Sequence, residues 1–134
     1  MISAPITSEL KILIVEDEPL IAEHIATYLN NADFTVSGIA YDDEEARNQL
    51  RATTPDAVIL DINLDGATDG IQLADYINKN YSLPFLFLTS YADRDTLERA
   101  KKVEPWGYIV KPFNEKTLQA SLEIAISNFA HRAN

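Results

Sequence analysis

Lys11-Ile-Leu-Ile-Val-Glu-Asp-Glu-Pro19 joins a short β-branched run directly to three acids, with no spacer between them. The run is too short for a helix and lacks the alternation of a half-exposed strand, so it reads as a central strand buried on both faces. The same layout recurs along the chain: Asp56 to Leu60 is followed by Asp61, Pro84 to Leu88 by Thr89, and Gly107 to Val110 by Lys111. Only the run from Phe34 to Ile39 lacks a polar or reactive residue at its end. In an open parallel sheet, ligands bind outside the carboxyl ends of the strands, so Glu16, Asp17, Asp61, Thr89 and Lys111 are expected to converge on one pocket. Two carboxylates about 4 Å apart at an effective dielectric of about 20 repel by roughly 4 kcal/mol, a cost that a hard cation removes.

The segments between these runs read as helices. Glu18-Pro19 opens the first, with Leu20, Ile21, Ile25, Tyr28 and Leu29 at helical spacing and an end near Asn30-Asn31. Asp42-Asp43-Glu44-Glu45 starts the second, where carboxylates suit the helix dipole. A polar loop from Asp61 to Gly70, with glycines at 66 and 70, leads into a helix over Ile71 to Asn80. A charged helix follows over about Asp93 to Lys102. Pro112 stops the last strand, and Asn114 is placed to cap a final helix carrying the stripe Leu118, Leu122, Ala125, Ile126 and Phe129. Strands and helices in strict alternation call for right-handed crossovers and a doubly wound α/β parallel sheet. The expected organisation is a loose leader over 1–9, one domain over 10–131 and a short tail over 132–134.

Composition bounds the function. The 134 residues, 46% of them hydrophobic, suffice for one core with helices on both faces of a sheet. Eleven Lys and Arg against 21 Asp and Glu give a net charge of −10, and the longest basic cluster is Lys101-Lys102, which argues against nucleic-acid binding by this domain. The absence of cysteine excludes disulfides, thiolate metal sites and thiol nucleophiles. No stretch suggests a membrane span or a secretion signal, so a cytoplasmic location is expected.

Within the pocket, Asp61 at the tip of a mid-chain strand is the candidate nucleophile, since a carboxylate attacking phosphorus gives an acyl phosphate. Taken alone it would serve equally well as a turn cap. Glu16 and Asp17 offer the oxygen ligands that Mg²⁺ prefers, although short acidic runs are also common at helix starts. Lys111 is pushed toward an extended conformation by Pro112, which places its ammonium to pair with Asp61 or a phosphoryl oxygen. Thr89 is a candidate hydroxyl donor whose plainer role is helix capping. The set is more specific than any member.

Val15-Glu-Asp-Glu-Pro19, Leu60-Asp-Ile-Asn63 with Asp69-Gly70, Leu88-Thr-Ser90 and Tyr108-Ile-Val-Lys-Pro-Phe113 resemble, in order and spacing, the receiver domain of two-component response regulators, the CheY-like superfamily. The resemblance covers about residues 10 to 130. It implies a flavodoxin-like (βα)5 fold with strand order 2-1-3-4-5, a Mg²⁺ site and phosphorylation of an aspartate by a sensor histidine kinase or phosphotransfer protein. By the same resemblance, Asp61 is the phosphoacceptor, Asp17 a direct Mg²⁺ ligand, Glu16 a ligand acting mainly through water, and Asn63 a ligand through its backbone carbonyl. Thr89 and Lys111 match the switch hydroxyl and the phosphate-pairing lysine, and Tyr108 matches the aromatic switch. The Lys111-Pro112 bond is expected to be cis, a form taken by only about 5–6% of X-Pro bonds in folded proteins. Two departures stand out. The loop Asn63-Leu-Asp-Gly-Ala-Thr-Asp69 has no proline and is one residue longer than in many receivers, and Glu16 stands where Asp is more usual.

The nearest enzyme alternative is a phosphatase of the haloacid-dehalogenase type, which also uses a strand-terminal Asp with Mg²⁺. That family needs a second Asp two residues on, where this chain has Asn63. A receiver-like adaptor that is not phosphorylated is the other alternative, and no P-loop or GxGxxG pattern supports nucleotide binding. The expected output face combines the fourth helix, fifth strand and fifth helix, with Arg94, Leu97, Lys101, Trp106 and Tyr108 available for a partner or a symmetric homodimer. The Pro105-Trp-Gly-Tyr108 region is similar to receivers attached to LytTR-type DNA-binding domains.

Overall fold

Alternation within the strands decides which helix packs where. The computed structural model describes residues 10–64, 69–90 and 94–132. Its elements run β1 (Lys11–Val15), α1 (Pro19–Asn31), β2 (Thr35–Ala40), α2 (Asp43–Ala52), β3 (Ala57–Asp61), α3 (Gly70–Asn80), β4 (Phe85–Thr89), α4 (Arg94–Lys102), β5 (Gly107–Val110) and α5 (Glu115–Ala130). All strand pairs are parallel, in the order β2-β1-β3-β4-β5. This is the flavodoxin-like arrangement expected from the sequence.

Side chains of a strand point alternately to its two faces. Ile12, Ile14, Ala57, Ile59, Leu86, Leu88 and Ile109 therefore pack against α1 and α5 through Ile25, Leu29, Leu118 and Leu122. Leu13, Val15, Val58, Leu60, Phe85 and Phe87 face the other way, onto Leu50 of α2, Ile77 of α3 and Ala100 of α4. With both faces covered, the three central strands are apolar almost throughout, as the uninterrupted runs predict. The chain winds in opposite directions from β1 and β3, so the crevice at their carboxyl ends is the switch point of the sheet.

Three strands extend one residue beyond their expected ends. β3 takes in Asp61 and β4 takes in Thr89, because the parallel ladder pairs Asp61 with Leu88 and Thr89 with Val110. The donation from Ile62 N to Leu88 O at 3.2 Å and from Lys111 N to Thr89 O at 2.8 Å carries the pairing past the apolar run. β2 covers Thr35–Ala40 rather than Phe34 to Ile39, since Phe34 turns into the α1 side of the core and Ala40 O accepts from Glu16 N at 3.0 Å. The expected leader over 1–9, Gly66 and the loop path over 65–68, and a fourth-helix start at Asp93 lie outside the described residues. The cap expected at Asn114 forms, and Asp42 caps α2 as well. Asn114 Oδ1 accepts from Thr117 N at 2.8 Å, and Asp42 Oδ1 accepts from Glu45 N at 2.8 Å.

α3 begins one residue before its expected start, at Gly70, and close packing explains why. Gly70 N donates to Ile62 O at 2.9 Å, and a Cβ on Gly70 would fall 2.0 Å from the Asp61 carbonyl oxygen and 2.8 Å from that of Ile62. Any side chain here must push α3 off the end of β3. Gly70→Ala is expected to lower the unfolding free energy by about 2–3 kcal/mol in a denaturant titration. A wild-type midpoint would contradict the contact.

Candidate functional site

The carboxyl ends of β1, β3 and β5 deliver four charged side chains to one point. Carboxylate oxygens of Glu16, Asp17 and Asp61 all lie within 4.8 Å of one another. Glu16 is 0% and Asp61 3% exposed, while Asp17 is half-buried. The Lys111 ammonium stands 3.0 Å from Asp61 Oδ2 and 3.4 Å from Glu16 Oε1. The Lys111-Pro112 bond ahead of α5 is cis, as expected.

Hydrogen bonding divides these oxygens unevenly. Asp61 Oδ1 accepts from the backbone N–H of Asn63 at 3.0 Å, and Oδ2 accepts from Lys111. Glu16 Oε2 accepts from Glu18 N at 3.1 Å. Glu16 Oε1 is buried and receives no hydrogen bond, although the Lys111 charge is within ion-pair range. A buried carboxylate oxygen left in that condition is costly unless a cation or proton reaches it. Burial, and then the adjoining Asp61 carboxylate, push the Glu16 carboxyl up to about 8. Burial pulls Lys111 down, but Asp61 and Glu16 outweigh it and hold its ammonium above the ordinary lysine value. The site therefore favours positive charge, which is the condition for a divalent cation held by oxygen ligands.

Glu16, Asp17, Asp61 and Lys111 are thus brought together as the sequence suggested. Asn63 joins them through its backbone N–H on Asp61, with its side chain exposed. Thr89 is buried at the end of β4, and by alternation it and Tyr108 belong to the α4 side of the sheet. The Tyr108 ring lies 6.3 Å from that of Phe87, centroid to centroid. Trp106 packs edge-on against Phe129 at 5.2 Å. His24 lines a shallow pocket with Lys111, Ile21, Tyr28, Pro112 and Phe113.

Sequence reasoning missed Gly70 as the residue that seats α3 against Asp61. Its signal was a glycine directly after a capping Asp, a position that helix propensity alone would not choose. It also missed Arg99, whose Nη2 lies 2.9 Å from Asp69 Oδ2.

The family described as "Response regulator receiver domain" matches residues 12–123. The chain is 35% identical over 119 residues to the transcriptional regulatory protein PdtaR of Mycobacterium tuberculosis, covering 89% of this chain and 58% of that protein. It is 36% identical over 114 residues to the transcriptional regulatory protein CitB of Klebsiella pneumoniae, covering 83% and 48%. Among solved structures, the signal receiver domain of a modulated diguanylate cyclase from Desulfovibrio desulfuricans G20 superposes with a TM-score of 0.85 at 37% identity, covering 90% of this chain and 96% of that one. The receiver domain of NtrX from Brucella abortus gives a TM-score of 0.81 at 30% identity, covering 87% and 98%. With its fold, acidic cluster and these likenesses, the chain belongs to the response regulator receiver family, the CheY-like phosphoaccepting modules of two-component signalling. It spans about half the length of the curated relatives it matches. No helix among the described residues is long and apolar enough to cross a membrane.

Proposed function

We propose that Asp61 accepts a phosphoryl group, in a Mg²⁺-dependent transfer, from the phosphohistidine of a sensor kinase or phosphotransfer protein. The observation that carries this reading is the buried Asp61 carboxylate, clustered with Glu16 and Asp17 and paired with Lys111 at 3.0 Å. Asp61 supplies the oxygen that attacks phosphorus. The new P–O bond forms as the P–N bond of the donor breaks, and the imidazole leaves with a proton. Asp17 and Asp61 would hold the ion directly, with Glu16 acting mainly through water and the Asn63 carbonyl completing the protein ligands. When bound, Mg²⁺ offsets the negative charge that gathers on the phosphoryl oxygens. Lys111 pairs with one of those oxygens, and the Thr89 hydroxyl donates to another.

In the same reading, movement of Thr89 toward the phosphoryl group frees space into which Tyr108 turns, changing the face built by α4, β5 and α5. Val110 at 37% and Ile124 at 59% exposure give that face its apolar part, and Arg94 and Lys101 give it charge, as a homodimer or an output partner needs. Coupling requires that the phosphorylated state favour one arrangement over the other.

Beryllofluoride, a phosphoryl mimic, is expected to bind wild type only with Mg²⁺ present, and to change both Trp106 fluorescence and sedimentation. Asp17→Ala should weaken Mg²⁺ binding by at least about 10-fold in calorimetry, through loss of a direct ligand. Thr89→Ala should bind the mimic without the fluorescence and sedimentation changes. Unchanged Mg²⁺ affinity in Asp17→Ala would sink the metal assignment. A mimic that binds wild type and alters neither signal would sink the switch.

A further inference from the structure

Asp69 is shared between two partners. Its Oδ1 accepts from Gln72 N at 2.9 Å, and the Gln72 Oε1 accepts in turn from Asp69 N at 3.0 Å, closing a capping box on α3. Its Oδ2 accepts from Arg99 Nη2 at 2.9 Å, thirty positions away on α4. The next residue is Gly70, whose N–H donates to Ile62 O and whose Cα side abuts the Asp61 carbonyl. A short connected path therefore runs from α4, through the cap of α3, to the backbone of the acceptor strand.

We propose that Arg99 is a positioning residue for the chemistry at Asp61, acting through Asp69 and Gly70; the inference rests on the function proposed above. An exposed ion pair contributes little to stability, so its value here lies in placement. α4 buries only Ala100, whereas α3 buries Gly70, Ile71, Leu73, Ala74 and Ile77. Arg99 thus ties the helix with the thinner apolar anchorage to the segment that touches the acceptor backbone. Because coupling between sites is reciprocal, a partner that displaces α4 must also alter affinity at Asp61. This route is separate from the one through Thr89 and Tyr108.

The test measures beryllofluoride affinity at saturating Mg²⁺ in the intact chain. Arg99→Gln removes the charge, while Asp69→Asn keeps the capping oxygen and removes only the ionic partner. Each is expected to weaken the mimic by about 2- to 5-fold, and the double variant by no more than either single change, since both remove one interaction. Arg99→Lys should recover part of the loss. Affinities equal to wild type, or losses that add in the double variant, would overturn the proposal. A lowered melting temperature with unchanged affinity would overturn it too, by making the pair structural only. Failure of wild type itself to bind the mimic would remove the underlying reading, whereas binding that is identical in all variants removes only the role of Arg99.

Discussion

Asp61→Asn is expected to accept no phosphoryl group from acetyl phosphate at a rate within about 100-fold of wild type, a barrier difference of at least about 2.7 kcal/mol. The amide keeps the size of the side chain and an oxygen for the Asn63 N–H, but it is a poor nucleophile and loses the charge that holds Lys111. Asp17 lies within 4.8 Å and is the obvious substitute acceptor, so the comparison tests which carboxylate reacts. Labelling of Asp61→Asn at the wild-type rate would move the reaction to Asp17 or elsewhere.

The second large effect concerns pH. Without metal, the folded protein holds a proton on Glu16 up to about 8, against an ordinary value of 4.5. Between those values the folded state binds more protons than the unfolded chain, so stability falls as pH rises through the window and levels off above it. Each unit of difference is worth about 1.4 kcal/mol, so a window from 4.5 to about 8 corresponds to a loss of several kcal/mol, on the order of 5. Lys111 contributes in the opposite range. Held above 10.5, it stabilises the folded state below that value and the contribution disappears at higher pH. Saturating Mg²⁺ should flatten the slope between 4.5 and 8, because a ligand that binds only the folded form also favours ionised carboxylates. Glu16→Gln should flatten it without metal. Denaturant titrations from pH 4.5 to 8 check both, and a metal-free stability that rises across this range would contradict the assignment.

Much of this site was legible because central parallel strands leave a strong signature. The buried lengths of β1, β3 and β4 are apolar up to Asp61 and Thr89 at the ends of β3 and β4, and Glu16, Asp17, Asp61 and Lys111 stand where the apolar runs of β1, β3 and β5 give out. What the sequence could not supply were features decided by partners. The extra strand residue at Asp61 and Thr89 depends on hydrogen bonds from neighbouring strands, not on local apolarity. Gly70 carries no periodicity, and its role is visible only once α3 lies against the Asp61 carbonyl. Arg99 and Asp69 are polar residues of ordinary kind, and only the packing of α4 beside α3 makes them a pair. The departure at Glu16 was seen, but not its consequence, since an unbonded Oε1 requires the burial of its surroundings to matter.

The central claim is that Asp61 is the Mg²⁺-dependent phosphoacceptor. It is tested most directly by incubating wild type with acetyl phosphate, with Mg²⁺ or with a chelator, and reducing the product with borohydride, which converts an aspartyl phosphate to homoserine. Peptide mass mapping should then find homoserine at position 61 in the Mg²⁺ sample and nowhere in the chelated one. Homoserine at another acid, or equal conversion without Mg²⁺, would contradict the account.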